Sequence, residues 1–259
     1  ETMGHVWDED LEEYNNPLPK WWLNMFYITL VFGVVYLLLY PGLGSFPGLL
    51  GWTSQGRYEN EVKTAEESFK PLYDAYLATP SDELVQNADA MGTAKRLYST
   101  NCAICHGADA RGATGFPNLR DNDWVWGGDE AAVKATLVNG RNAVMPGWIG
   151  VIGEEGVNAA SEYVYSLTRD PLNPALVDAG KQHYDTLCAA CHGADAKGNI
   201  ALGAPNLTDD IWLYGGSLGA IRQTLTSGRN GVMPAFGENL TESQIHLLTA
   251  YLQSIGEGE

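Results

Sequence analysis

The sequence has 259 residues, 45% of them hydrophobic and 10% aromatic, a composition that excludes disorder as its main state and, at this length, suits two units of about 100 to 150 residues. With 32 acidic against 15 basic side chains the formal charge is −17, so a partner whose phosphates must be neutralised by a basic face is excluded, and no nucleic acid is expected to bind. Four cysteines are too few for a disulfide-dense scaffold, and they fall as two pairs of equal spacing.

Residues 1–19 are acidic, and no charged side chain occurs between Lys20 and Arg57. Within that gap Trp21 to Tyr40 gives 20 uncharged, mostly apolar residues, which as a helix would span about 30 Å, the thickness of a bilayer's hydrocarbon. Lys20 with Trp21 and Trp22 at one end and Tyr40 at the other are the anchors expected at the two interfaces, and Pro41-Gly42 ends the helix. The run is too long, and its leader too acidic, for a cleaved signal peptide, so a retained single crossing over 20–42 is expected. It contains no histidine and cannot by itself hold an intramembrane haem or copper through imidazole. A loop and linker helix over 43–83 should follow.

Beyond the linker the chain repeats itself. Cys102-Ala-Ile-Cys105-His106 recurs as Cys188-Ala-Ala-Cys191-His192 at an offset of 86. After a two-residue insertion the offset is 88, and it links Pro117-Asn118-Leu119 to Pro205-Asn206-Leu207, Trp124 to Trp212, Arg141-Asn142 to Arg229-Asn230 and Met145-Pro146 to Met233-Pro234. Duplication of one module explains all of these, with copies over 84–170 and 171–259. Each copy reads as short helices joined by Gly- and Pro-rich loops, without the alternation that marks strands, so the class is all-α. Asp129 and Ser217 are N-caps of helices that bury Val133 with Leu137 and Ile221 with Leu225 and end at Gly140 and Gly228. Thr241 and Gln244 form a capping box for a last helix with Ile245, Leu248, Leu252 and Ile255 on one face, matched by Val157, Ala160, Val164 and Leu167. Asn173-Pro174 opens the helix leading to Cys188.

The pentad C-x-x-C-H is an attachment signal for c-type haem: two thiols add to the vinyl groups and the adjacent histidine becomes the proximal iron ligand. A four-cysteine zinc site or paired redox dithiols also use C-x-x-C, but neither needs a histidine after both pairs or a methionine 39 and 41 residues further on. The expected axial pairs are His106 with Met145 and His192 with Met233, on two haems attached through Cys102, Cys105, Cys188 and Cys191. Fully ligated iron of this kind carries electrons and leaves no open position for substrate. The carbonyls of Pro117 and Pro205 are candidates to accept the second N–H of each proximal histidine. Arg141, Arg229, Trp124 and Trp212 are candidates to meet haem propionates. His183 and His246 have no counterparts and are read as partly exposed residues without a ligand role. Because this attachment is completed outside the bacterial cytoplasm, the haem modules should be exported and residues 1–19 retained inside.

The chain resembles the membrane-anchored dihaem cytochrome c subunit of cbb-type haem-copper cytochrome c oxidases. Two tandem modules alone are shared with other families, and the anchor discriminates: Glu12-Glu-Tyr-Asn-Asn-Pro-Leu-Pro-Lys-Trp-Trp22, an apolar span closing in Tyr40-Pro-Gly-Leu-Gly44, Trp52-Thr-Ser-Gln and the charged stretch from Arg57 to Glu67. The resemblance implies a subunit of a proton-pumping respiratory oxidase in the bacterial inner membrane. It would have no catalytic centre of its own, accept electrons from donor cytochromes c and pass them, via a monohaem cytochrome c subunit, to the catalytic haem-copper subunit. It also implies the eight ligands already named. A dihaem cytochrome serving another respiratory complex or dehydrogenase, and a dihaem peroxidase with one open iron, are the competing readings.

Overall fold

The computed structural model describes residues 1–256, and the chain divides into two units, 1–70 and the part from Pro71 onward, each treated by itself. The first unit opens with a hairpin of β1 (Thr2–Trp7) and β2 (Leu11–Tyr14), in which Trp7 faces Leu11 and Val6 faces Glu12. Asp8 and Glu9 turn the chain at φ 47° and 76°, the left-handed region that a tight hairpin requires. Helix α1 (Lys20–Leu39) has no buried residue and a mean hydropathy of 2.0, long and apolar enough by length and composition to cross a membrane. It stops where Tyr40 turns extended, at φ −113° and ψ 157°, as a residue before proline must. Helix α2 (Ser54–Ala78) follows, and the division between the units falls inside it.

In the second unit α3 (Ser81–Leu84) and α4 (Ala88–Asn101) lead to α5 (Ala103–His106), which carries the first histidine. Asn87 caps α4 by accepting from the backbone N–H groups of Asp89 and Ala90, both at 3.1 Å. Then come α6 (Glu130–Asn139), strand β3 (Arg141–Met145) and α7 (Ile149–Ser166). In the second copy a 3₁₀ turn begun by Pro174, α8 (Val177–His183) and a π-helical turn over Tyr184–Cys188 lead to α9 (Ala189–His192), α10 (Leu218–Ser227), β4 (Arg229–Met233) and α11 (Glu242–Gly256). The architecture is mostly helical. The caps fall where the side chains predict them: Asp129 Oδ1 accepts from Ala132 N at 2.9 Å, Ser217 Oγ from Ala220 N at 3.2 Å, and Thr241 exchanges two bonds with Gln244.

The strands are a departure from the helix-and-loop expectation. β3 and β4 form a two-stranded antiparallel ribbon centred on Ala143 opposite Gly231. Each alternates half-buried and exposed over only five residues, too short a run for the period of two to stand out in sequence.

The ribbon is also where the two copies exchange partners. After β3 the chain crosses to the second copy, so that Trp148 N donates to Leu225 O at 2.7 Å at the end of α10, and after β4 Phe236 N donates to Leu137 O at 2.9 Å at the end of α6. Gly140 and Gly228 sit directly under the crossing strands. A Cβ on Gly140 would collide with the backbone of Met233 to Ala235, and one on Gly228 with that of Met145 to Gly147, while φ of 67° and 72° already favours glycine at both. Accordingly α11 packs on α4 and α6 of the first copy, and α7 packs on α8 and α10 of the second. One core gathers Tyr98, Cys102, Val133 and Leu137 with Ile245, Leu248 and Leu252, and another Tyr184, Ile221 and Leu225 with Val157, Ala160 and Val164. A third joins Tyr76 and Leu84 to Ala90, Ala94, Leu247 and Ala250. Burial of a large aliphatic side chain in such a core contributes about 1.5–3 kcal/mol.

His246 differs from the sequence expectation. It is buried, its Nε2 lies 2.8 Å from the Thr79 carbonyl oxygen, and its Nδ1 faces Glu130 Oε1, which accepts from Ser81 Oγ at 2.9 Å. A carbonyl only accepts, so Nε2 carries the proton and His246 ties α11 to the turn before α3. Its isolation from any repeat position hid this tertiary contact. His183 is half-buried.

Candidate functional site

Each histidine is delivered by a single helical turn followed by a glycine, Gly107 or Gly193, at φ 80° and 81°. The loop then closes back on the turn: Gly112 N donates to His106 O at 2.8 Å, and Gly198 N to His192 O at 2.9 Å. Tyr98 Oη and Tyr184 Oη brace the same turns by donating to the carbonyls of Gly107 and Gly193 at 2.8 and 2.6 Å. Burial pushes both phenols up to about 12, so they remain donors throughout the physiological range.

His106 and His192 are both buried, and their Nδ1 atoms lie 2.9 and 3.0 Å from the carbonyl oxygens of Pro117 and Pro205. Since those oxygens accept only, Nδ1 is the protonated nitrogen and Nε2 of the neutral ring keeps its lone pair. Burial lowers the pKa of His192, partly offset by the Pro205 carbonyl. A neutral imidazole with a fixed ring and a free Nε2 is the form in which histidine binds a metal.

The cysteines are unequal within each pair. Cys102 is buried and Cys188 half-buried, and burial raises their thiols to about 11, whereas Cys105 and Cys191 are exposed. Cys102 and Cys188 belong to separate cores, which is incompatible with one four-thiolate zinc centre.

The methionines are placed crosswise. Met233 packs against the core containing Cys102, and Met145 against the core with Cys188. The crossing at the β3–β4 ribbon thus brings the second copy's methionine to the first histidine's core, and the reverse, whereas chain order pairs His106 with Met145 and His192 with Met233. Nearness along the chain implied the opposite, because an exchange leaves every repeat spacing unchanged.

Arg141 and Arg229 sit at the ends of the ribbon and are anchored within their own copies. Arg141 Nε donates to Thr136 Oγ1 at 2.8 Å and its guanidinium lies 4.7 Å from the Trp126 ring centroid. Arg229 Nε donates to Thr224 Oγ1 at 3.0 Å and its guanidinium lies 4.5 Å from the Tyr214 ring. These four supports were not singled out in the sequence, although Trp126 and Tyr214, like Thr136 and Thr224, stand at the repeat offset of 88. Trp124 and Trp212 pack at the edge of the first and second cores, stacked on Gly128 and Gly216. The indole Nε1 of Trp212 is buried without a hydrogen-bond partner.

That orphaned donor, the free imidazole nitrogen and the cysteine pair beside it are the donor set that a haem with acidic substituents satisfies: thiols for its vinyl groups, nitrogen and sulfur for its iron, N–H for a carboxylate. The residues fit the group, and the chain binds haem, the histidine, cysteine pair and methionine recurring in both modules and the orphaned indole in the second.

Comparison with known proteins gives the family. Residues 1–47 match the family model described as the N-terminal domain of cytochrome oxidase-cbb3, FixP, and residues 89–164 and 175–252 match that of cytochrome c oxidase, cbb3-type, subunit III. The cbb3-type cytochrome c oxidase subunit CcoP of Rubrivivax gelatinosus is 46% identical over 99% of this chain and 84% of its own length. CcoP of Azospirillum brasilense is 37% identical, over 100% of this chain and 96% of its own, and FixP of Sinorhizobium medicae is 37% identical, over 100% and 95%. With its apolar N-terminal helix and two haem-binding modules, the chain belongs to the CcoP/FixP family, subunit III of cbb3-type cytochrome c oxidases.

Proposed function

We propose that the chain is the electron-transfer subunit of a cbb3-type oxidase, holding two covalently attached c-type haems that relay electrons toward the oxygen-reducing subunit. The observation that carries this reading is the doubled site: in each module a buried histidine with its Nδ1 on a proline carbonyl, a C-x-x-C pair beside it and a methionine in the same core. Haem bound there supplies a one-electron iron couple.

The packing supports the following assignment of residues. Cys102 and Cys105 would attach the first haem, and His106 and Met233 would hold its iron. Cys188 and Cys191 would attach the second, with His192 and Met145 holding its iron. The methionine thioether is soft and neutral and favours the reduced metal, which sets a higher potential than a second imidazole would. The Pro117 and Pro205 carbonyls orient the imidazoles and make Nε2 more basic. Trp212 Nε1, and Trp124 in the matching place, donate toward a propionate. Arg141 and Arg229, leaning on Trp126 and Tyr214, would add positive charge that attracts the propionates. With a histidine and a methionine of each module committed to the iron, no position would be left for oxygen or peroxide, which separates this reading from a peroxidase.

Along the chain the reading assigns 1–19 to the cytoplasm, 20–42 to the membrane anchor, 43–83 to an interfacial loop and linker helix, and the two sequence copies 84–170 and 171–259, which exchange α7 and α11, to the pair of haem modules on the periplasmic side. The partners are the catalytic haem-copper subunit, a monohaem cytochrome c subunit and a donor cytochrome c. Purification in mild detergent tests it. Two c-type haems per chain by pyridine haemochrome, with b-type haem and copper recovered in the same complex, are expected. A chain isolated with fewer than two haems, or always free of b-type haem and copper, would overturn the reading.

A further inference from the structure

The periodicity of α2 is not used by either haem module. Tyr58, Val62, Ala65 and Phe69 recur at alternating intervals of four and three, the spacing that places side chains along one seam of a helix and suits it to pack lengthwise on another. Of these Tyr58 is 63% and Phe69 56% exposed, Ala65 is exposed and Val62 half-buried. Alongside runs a groove of about 840 Å³ whose lining includes Trp52, Arg57, Glu61, Ala65 and Phe69. Scattered exposed apolar residues need no explanation, but an ordered row bordered by a groove does.

The flanks of the row identify its occupant. The positions beside it that would face a partner are Glu59, Glu61 and Glu66, whereas Lys63 and Lys70 lie further round the helix, behind Glu59 and Glu66. Arg57, also off the row, reaches back to Glu61 at 2.9 Å. A second copy of α2 would set glutamate against glutamate, which is destabilising. Helices that lie on bilayers present Lys and Arg beside their apolar face, the reverse of this arrangement, and anionic headgroups would repel these carboxylates. We propose that the Tyr58–Phe69 face of α2 is the docking surface for a helix of another subunit of the oxidase, one that offers an apolar row bordered by lysine or arginine. The proposal rests on the oxidase reading above and adds to it a surface outside both haem modules.

The test uses the full chain in its native host. A photoreactive phenylalanine analogue placed at position 58 or 69 should cross-link to one other oxidase subunit, at a helix with Lys or Arg beside the adduct. Val62→Glu and Phe69→Glu should keep two haems per chain yet reduce recovery of the other subunits about tenfold or more, and Lys63→Glu, further round the helix, should not. Adducts only to lipid, only to a second copy, or to no partner would overturn the docking proposal, as would unchanged recovery with both glutamate variants. If those variants lose haem, the cross-link made in the otherwise unaltered chain decides. An unaltered chain that never carries b-type haem and copper would overturn the oxidase reading and this proposal together, whereas loss of the cross-link in an intact complex removes this proposal alone.

Discussion

Met233 lies directly opposite Arg141 across the β3–β4 ribbon, and Met145 opposite Arg229 at its other end. The arginine anchored in one copy therefore stands beside the methionine supplied by the other, and the two modules cannot be completed independently. This is an exchange of equivalent elements within one chain, the arrangement that between chains makes a swapped dimer.

The exchange predicts which haem each methionine serves. In a Cys188→Ala/Cys191→Ala variant, where only the first module retains its attachment cysteines, Met233→Ala should open that haem to carbon monoxide and lower its midpoint potential, while Met145→Ala should do neither. Spectroelectrochemistry with carbon monoxide titration reads both. The opposite pattern would restore the pairing by chain order.

Stability should follow the same crossing. Leu248 on α11 is fully buried against Tyr98 and Leu137 of the first copy, so Leu248→Ala is expected to cost about 2–5 kcal/mol. Removing the α11 cap with Thr241→Ala should cost about 1 kcal/mol. Denaturant unfolding of the detergent-solubilised chain, followed by absorbance of single-haem variants, should show the first module losing its haem environment before the second in both cases. Equal or reversed loss would argue against α11 belonging to the first core.

Trp212 has a buried Nε1 without a protein partner. If it donates to a propionate, Trp212→Phe leaves that carboxylate more negative, stabilises the oxidised iron and lowers the second haem's potential. A bond to a charged group contributes about 1.5 kcal/mol, and only the part of it that differs between the two redox states moves the potential, so the expected shift is downward and below about 60 mV in a one-electron couple. A redox titration that finds the second haem unmoved, with both haems retained, would assign Trp212 to packing alone.

Asp123 carries a pH prediction. Burial, with the nearby charges of Asp209 and Asp121, raises its carboxyl pKa in the folded chain. The native state then holds a proton that the unfolded state releases, so this group favours folding most below the unfolded value of about 3.9 and less as pH rises through the folded value. Asp123→Asn should accordingly stabilise the protein at pH 7 and lose that advantage at low pH. Unfolding midpoints measured across pH 3 to 7 (about the range over which carboxyls titrate) check it, and stabilisation that is constant with pH would point to a cause other than charge.

Much of this protein was legible in the order of its residues. The apolar run ending before Pro41, the caps at Asp129, Ser217 and Thr241, and the two C-x-x-C-H pentads are local signals, each set by covalent neighbours or by one or two turns of helix. The duplication was equally plain, because repeats at offsets of 86 and 88 need only alignment of the chain with itself. The ribbon, the burial of His246 against Thr79, and the core against which each methionine packs were decided by the tertiary structure. Two similar modules present nearly the same surfaces to α7 and α11, so one sequence pattern is compatible with either partner. The backbone path over Gly140 and Gly228, where no Cβ stands in the way, is what sends each methionine across.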